Sequence, residues 1–160
     1  MKRYRSAALL APVVLAIVGL ASPVTAGEQA PLEGKFKGDV TVTPLTPPFV
    51  SVDVEATGKA TLLGKFTLDI PHVVNRATRT AIGSYVFTAA NGDKLTADFT
   101  GTAAPTATPG VLYIEETATI TGGTGRFAGA TGSFVTERLF NTITKRTAGS
   151  FAGTISAPGS

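Results

Sequence analysis

The chain of 160 residues contains no cysteine and no tryptophan, and it has a single histidine, His72. Without cysteine it forms neither disulfides nor thiolate metal sites. It also lacks H-E-x-x-H, G-x-S-x-G and Walker motifs, which excludes common zinc hydrolases, thiol proteases and P-loop nucleotide enzymes as interpretations. No flanking motif supports a Ser-His-Asp hydrolase around His72. We therefore expect no metal and no cofactor, and we assign no catalytic residue.

Residues 1–26 have the pattern of a secretory signal peptide. Three basic residues at positions 2, 3 and 5 precede an apolar run over 7–21, and small residues lead up to Ala26. This pattern predicts cleavage after Ala26 and export to the periplasm or the extracellular space. The alternative is an uncleaved membrane anchor, but the run contains Pro12 and Gly19 and is short for a membrane span. We expect no stable membrane anchor after cleavage.

Cleavage would change the charge balance. The chain has 14 Lys and Arg residues against 11 Asp and Glu residues, a net charge of +3. Three of the basic residues lie within 1–26, so the remaining 11 basic residues balance the 11 acidic ones. A neutral domain gives no electrostatic reason to expect nucleic acid as a partner.

The rest of the chain reads as β-strands, because no segment has a convincing helical periodicity. After a short polar lead at 27–33, one domain at 34–156 precedes a flexible tail at 157–160. Alternating apolar and polar residues predict eight strands at 34–43, 50–60, 62–74, 80–89, 94–103, 111–121, 131–143 and 146–156. Asn91-Gly92 gives the clearest hairpin signal. Because each strand has one apolar face, the pattern favours an antiparallel sheet with one buried face and one face exposed to solvent.

Glycine recurs on the apolar faces of these strands. Glycines that permit bending stand at positions 38, 58, 64, 83, 101, 132, 149 and 153. In the third strand the predicted apolar face is Leu62, Gly64, Phe66, Leu68 and Ile70. Glycine weakens a flat strand but permits the bending that closes a barrel. We therefore predict an all-β fold, a single closed eight-stranded antiparallel up-and-down barrel, wide enough for packed side chains or one small ligand.

The segment Thr119–Gly132, T-I-T-G-G-T-G-R-F-A-G-A-T-G, has five glycines around Phe127, which we expect to anchor a turn. It resembles the G-G-T-G-x-F-x-x-A-x-G element of the allene oxide cyclase and dirigent barrels. The resemblance implies an eight-stranded barrel of the calycin or allene oxide cyclase type, a homotrimer and cofactor-free handling of a ligand. Allene oxide cyclases steer the cyclisation of an epoxide, and dirigent proteins guide phenolic radicals or quinone methides. It carries over no catalytic residue, since only the turn aligns.

Four polar residues fall on predicted inward faces. Glu116 alternates in register with Ile114 and Ala118, and Arg138 does so with Phe134 and Phe140 on the next strand. Tyr85 lies on another inward row, and His72 continues a row past a proline near a barrel mouth. Polar groups in an apolar interior are typical of a small-molecule site. The alternative is a β-bulge at Glu115-Glu116 that turns the carboxylate outward, with Arg138 in solvent at a strand end.

Three functions stay open on this evidence. The first is a secreted barrel that binds a lipophilic or aromatic small molecule through Glu116, Arg138, Tyr85 and His72. The second is a cofactor-free isomerase or cyclase of the allene oxide cyclase or dirigent type, in which Glu116 or Tyr85 acts as acid, base or dipole. The third is a structural or assembly module whose interior is filled by phenylalanines.

Overall fold

The computed structural model describes residues 28–156, and it contains eight strands. These are β1 (Ala30–Pro44), β2 (Phe49–Ala60), β3 (Gly64–Asn75), β4 (Thr80–Ala89), β5 (Lys94–Pro105), β6 (Val111–Gly123), β7 (Thr131–Asn141) and β8 (Arg146–Ser156). Each strand pairs antiparallel with the next, and β8 pairs with β1, so the sheet closes into a barrel. The predicted fold class is confirmed.

The alternation of apolar and polar residues explains the two faces of this wall. On β3, Phe66, Leu68 and Ile70 are buried while the residues between them are exposed. Because successive side chains on a strand point to opposite faces, one row fills the interior and the other meets solvent. The predicted hairpin at Asn91-Gly92 connects β4 and β5, and Gly92 adopts φ 91° there.

Several strand boundaries differ from those predicted, and two of the differences change which residues are buried. Residues 30–33, which the sequence assigns to a polar lead, belong to β1, because they pair with β8 and Leu32 is fully buried. The predicted inward position of Leu62 is wrong, since this residue adopts φ 61° in the β2–β3 turn and is 50% exposed, while Leu63 is buried instead.

The predicted signal peptide at 1–26 and the tail at 157–160 lie outside the described residues. Within 28–156, no helix has the length and apolar character needed to cross a membrane. The one helical element of this part of the chain is a single 3₁₀ turn, Gly125–Phe127, between β6 and β7.

Inward glycines allow neighbouring strands to approach closely. A Cβ atom at Gly38 would lie 2.1 Å from the Glu55 carbonyl oxygen, and one at Gly153 would lie 2.0 Å from that of Ser133. Real side chains do not tolerate such contacts with backbone, so these positions require glycine. The glycines thus permit the tight curvature of the barrel.

The two ends of the barrel differ. One end, at the β6–β7 connection, is plugged by side chains with at most 3% exposure: Leu32, Leu63, Leu95, Phe127, Ala130 and Ile155. The anchoring of this turn by Phe127, which is 2% exposed, follows the sequence prediction. The opposite end, which we call the mouth, has a half-buried apolar rim of Val42, Val74, Ala81, Ala103, Ile114 and Phe140. The mouth is therefore the less tightly covered end of the barrel.

Candidate functional site

Glu116 on β6 and Arg138 on β7 both point into the barrel. Their exposed fractions are 0% and 3%. The β6–β7 ladder passes Glu115 and Glu116 in unbroken register with Glu137 and Thr136, so no bulge turns the carboxylate outward. The register shift of β6 lies against β5 instead, between Thr96 and Ala97. Strict alternation therefore gives the observed orientation.

The two side chains form a bidentate ion pair. Arg138 Nη2 donates to Glu116 Oε1 at 2.7 Å, and Arg138 Nε donates to Glu116 Oε2 at 3.1 Å. The Tyr85 hydroxyl donates a further hydrogen bond to Glu116 Oε2. Both carboxylate oxygens are thus satisfied, which is the condition for a buried charge to be tolerated. We call Tyr85, Glu116 and Arg138 the interior triad.

The surroundings fix the protonation of two members of the triad. Burial, together with the neighbouring Glu116, raises the pKa of Tyr85 well above its ordinary value. Burial acts to lower the pKa of Arg138, but the charge and hydrogen bonds of Glu116 outweigh it and raise that pKa overall. At neutral pH the triad therefore holds a neutral phenol that donates and a charged guanidinium.

His72 lies on β3 near the mouth and is 7% exposed. Its Nδ1 lies 2.9 Å from the Ile70 carbonyl oxygen, and its ring packs edge-on against Phe99. Burial lowers the pKa of His72 below 6.5, so the ring is neutral at neutral pH. A neutral ring that donates from Nδ1 to a carbonyl presents Nε2 as an acceptor. No hydrogen bond described for residues 28–156 joins His72 to the triad. His72 is therefore a polar group separate from the triad.

Two threonines complete the polar interior, and the sequence analysis did not select either of them. Thr147 is 3% exposed; its hydroxyl donates to the Leu139 carbonyl oxygen at 2.8 Å and accepts from Arg138 Nη1 at 3.4 Å. Thr136 is fully buried beside the Tyr85 hydroxyl, and hydrogen bonding from its own hydroxyl acts against the rise in the pKa of Tyr85. Among the described residues, however, no partner meets full hydrogen-bond geometry at the Thr136 hydroxyl. The sequence did contain one sign of Thr136: it stands two residues before Arg138, so alternation places both side chains on the same inward face.

Aromatic rings fill the interior between the triad and the plugged end. The Tyr85 ring centroid lies 5.7 Å from that of Phe87 and 5.3 Å from that of Phe134. Further rings continue this packing towards the plug: Phe36, Phe66, Phe87 and Phe151. The triad is therefore the boundary between a filled half and the mouth. Two concavities of the described residues lie on the outer wall, over β8, β1, β2, β3 and β4.

The chemistry available to this interior is that of hydrogen bonding and charge. Among residues 28–156, no group of three or more His, Asp or Glu side chains is placed to hold a metal ion. The interior offers a neutral phenol, a paired carboxylate and guanidinium, a neutral imidazole and a hydroxyl without a partner. Such groups can orient a ligand oxygen or move a proton.

The closed barrel and its interior place the chain among proteins with a dirigent-like barrel fold. One solved structure, that of the pterocarpan synthase dirigent protein, is similar over 83% of this chain and 87% of that chain, with a TM-score of 0.51 and 14% sequence identity. At this identity the likeness shows the fold alone. No family model and no curated protein matches the chain. The resemblance to allene oxide cyclases stays a prediction.

Proposed function

We propose that the protein binds a lipophilic or aromatic small molecule at the mouth of the barrel, oriented by the interior polar groups. One observation carries the proposal: beneath an apolar rim, the fully buried Thr136 hydroxyl lies beside the Tyr85 hydroxyl but has no partner in full hydrogen-bond geometry among the described residues. An unpaired buried hydroxyl costs free energy. A ligand oxygen or nitrogen that pairs with it would recover that cost.

The remaining polar groups define the chemistry of such a ligand. Arg138 has five N–H donors, and the hydrogen bonds described above use three of them. His72 Nε2 offers an acceptor nearer the rim. Because Glu116 already balances the charge of Arg138, the site favours a neutral molecule. A hydroxyl, phenol or carbonyl oxygen on an apolar body fits this description.

Export agrees with this proposal. The predicted signal peptide at 1–26 would deliver the barrel to the periplasm or the extracellular space, where it would meet small molecules from outside the cell. The fold needs no disulfide there, since the chain has no cysteine.

A second candidate is a cofactor-free cyclase or isomerase of the dirigent or allene oxide cyclase type. The observation that favours it is the fold shared with the pterocarpan synthase dirigent protein. In this proposal the neutral phenol of Tyr85 exchanges its hydrogen bond to Glu116 for one to a developing charge on the substrate, or Glu116 moves a proton within the substrate. The same residues would then change the ligand rather than only orient it.

A third candidate is a structural or assembly module with a filled core. The continuous packing of rings from Tyr85 to Phe151 favours it, because these rings leave the inner half of the barrel no open space for a ligand. This candidate predicts that no small molecule binds inside.

Binding of 2-naphthol, a neutral lipophilic phenol with environment-sensitive fluorescence, distinguishes these candidates. We expect saturable binding, weakened about fivefold in Thr136→Val, as the loss of one hydrogen bond of about 1 kcal/mol predicts. The matched control is Thr117→Val, the same change on the exposed face of β6. Absence of saturable binding supports the filled module and contradicts the proposal. Recovery of an isomerised small molecule from the purified protein would favour the second candidate.

A further inference from the structure

The outer wall of β1, β2 and β3 carries two rows of like charges. Lys35 pairs with Lys59, and Lys59 pairs with Lys65, in direct register across the three strands. We call these three residues the basic row. Four residues further along each strand, Asp39 pairs with Glu55 and Glu55 with Asp69; these form the acidic row. All six side chains are exposed.

This arrangement is unfavourable within a single copy of the barrel. Like charges directly opposite one another on neighbouring strands destabilise a sheet. No lysine of the basic row forms an ion pair among the described residues, and in the acidic row only Asp39 does so, with Arg146 at 3.2 Å. The domain as a whole is neutral, so the segregation of charge does not follow from composition. A partner that opposes both rows at once would remove the repulsion.

A second copy of this chain meets that requirement. The two rows are separated by about 13 Å, as four residues at about 3.3 Å each predict. Between them runs a middle row of Lys37, Thr57 and Thr67, also in register. A two-fold axis in the plane of the contact, parallel to this middle row, exchanges the basic and acidic rows. It then places Lys35 against Asp39 of the second copy, Lys59 against Glu55, and Lys65 against Asp69.

The neighbouring positions are compatible with this symmetry. The same axis places Arg146 opposite Ser150 of the second copy, and Val86 opposite Ala90 of the second copy. These positions follow from the pairing of β8 with β1 and of β4 with β3. Among the charged residues of β1, β2 and β3, the only like charges that meet are those of Lys37 and its own copy on the axis. A concavity of about 970 Å³ follows the basic row, and a smaller one of about 390 Å³ follows the acidic row. The axis brings each of them against the other.

We propose that this charged wall is a self-association surface and that the protein forms an isologous two-fold dimer through it. An isologous contact uses one self-complementary patch on both copies, and the two rows form such a patch. A polyanion would be attracted by the basic row alone and repelled by the acidic row beside it. The proposal does not depend on a ligand in the interior, and it differs from the trimer that the family resemblance implies.

A charge exchange at Lys59 and Glu55 tests the proposal. In the two-fold arrangement these residues face each other across the contact, although they lie four residues apart on the same strand. Lys59→Glu makes two contacts repulsive per dimer and should weaken dimerisation at least about tenfold. The double variant Lys59→Glu/Glu55→Lys recreates both pairs with reversed polarity and should restore the dimer. Arg76→Glu, an equal change of charge in the β3–β4 turn, is the matched control.

Sedimentation velocity of the purified protein measures the outcome, with circular dichroism confirming that each variant is folded. We expect a dimer at about 0.05 M salt that dissociates at about 1 M salt, where the Debye length falls to about 3 Å. A wild-type monomer at low salt, a trimer, or a double variant no more associated than Lys59→Glu would each overturn the proposal. Equal weakening by Arg76→Glu would also overturn it, because net charge rather than this wall would then control association.

Discussion

A carboxylate with no exposed surface stays in the barrel only while its partners stay with it. Removing either Glu116 or Arg138 leaves the other charge buried and unpaired, so Glu116→Gln and Arg138→Met should each lower the free energy of unfolding by about 3–5 kcal/mol. The double variant should lose much less than the sum of the two. Urea unfolding of the four proteins measures this coupling. Additive losses near zero would mean that the ion pair contributes nothing in solution.

The two buried threonines predict opposite results for the same substitution. Thr136→Val removes a hydroxyl that has no partner, so it should raise the free energy of unfolding by about 1 kcal/mol. Thr147→Val removes a hydroxyl that donates to the Leu139 carbonyl and accepts from Arg138, so it should lower that free energy by about 1–3 kcal/mol. Thermal unfolding compares the two variants. Equal destabilisation would show that Thr136 is satisfied in solution.

His72 predicts a pH dependence of stability. Its folded pKa lies below the ordinary value of 6.5, so the unfolded chain binds more protons than the folded one when the pH is between these two values. The free energy of unfolding should therefore decrease as the pH falls from about 6.5 towards the folded pKa. His72→Asn retains an N–H donor for the Ile70 carbonyl and should flatten the dependence between the folded pKa and 6.5. Parallel pH profiles of the two proteins would contradict this.

At the scale of single residues, the alternation of apolar and polar residues along the strands was sufficient to find Tyr85, Glu116 and Arg138. A charged or phenolic side chain is easily recognised in a row of apolar residues. Alternation also places Thr136 on an inward row, but it does not single this residue out, since threonine is common on both faces of strands. The separation of His72 from the triad depends on its bond to the Ile70 carbonyl, and the sequence contains no signal for that contact.

At the scale of the elements, the centres of the strands were predictable and their ends were not. The seventh strand ends at Asn141, two residues before its predicted end, because the Asn141 side-chain oxygen accepts hydrogen bonds from the backbone of Ile143 and Thr144 and starts a turn. The early start of β1 at Ala30 has a different cause. Residues 30–33 become a strand by pairing with β8, a partner more than a hundred residues away in sequence.

The β6–β7 connection depends on Phe127. This ring is 2% exposed at the plugged end, in the only helical turn of residues 28–156. Phe127→Ala should lower the free energy of unfolding by about 3–5 kcal/mol, and by less if the surrounding side chains collapse into the space. Val135→Ala on the outer face of β7, where the valine is 43% exposed, is the control and should change it by about 0.5 kcal/mol or less. Similar losses in both variants would mean that Phe127 is no anchor.

For the molecule as a whole, closure is the property that local sequence signals describe least well. Glycines and strand number indicated a barrel, but the registers that align Lys35 with Lys59 and Lys65 exist only once the strands have paired. The charged rows on the outer wall were therefore invisible in a sequence whose net charge, after residue 26, is zero. The burial of side chains at the plugged end, and the half-buried rim at the mouth, likewise depend on which strand ends lie next to each other once the barrel has closed.

Closure also predicts where the folded domain begins. A chain that starts at Gly34, the boundary that alternation gives, loses the pairing of residues 30–33 with β8 and the fully buried Leu32. It exposes part of the β8 edge and opens the plug, so it should unfold at a lower temperature and aggregate more readily than a chain that starts at Glu28. Leu32→Ala in the longer chain separates the loss of the buried leucine from the exposure of the β8 edge. This variant should lower the free energy of unfolding by about 2–5 kcal/mol and leave the β1–β8 pairing intact. Thermal unfolding and light scattering measure both consequences. If the shorter chain matched the longer one in melting temperature, the β1–β8 pairing at residues 30–33 would not contribute to the stability of the barrel.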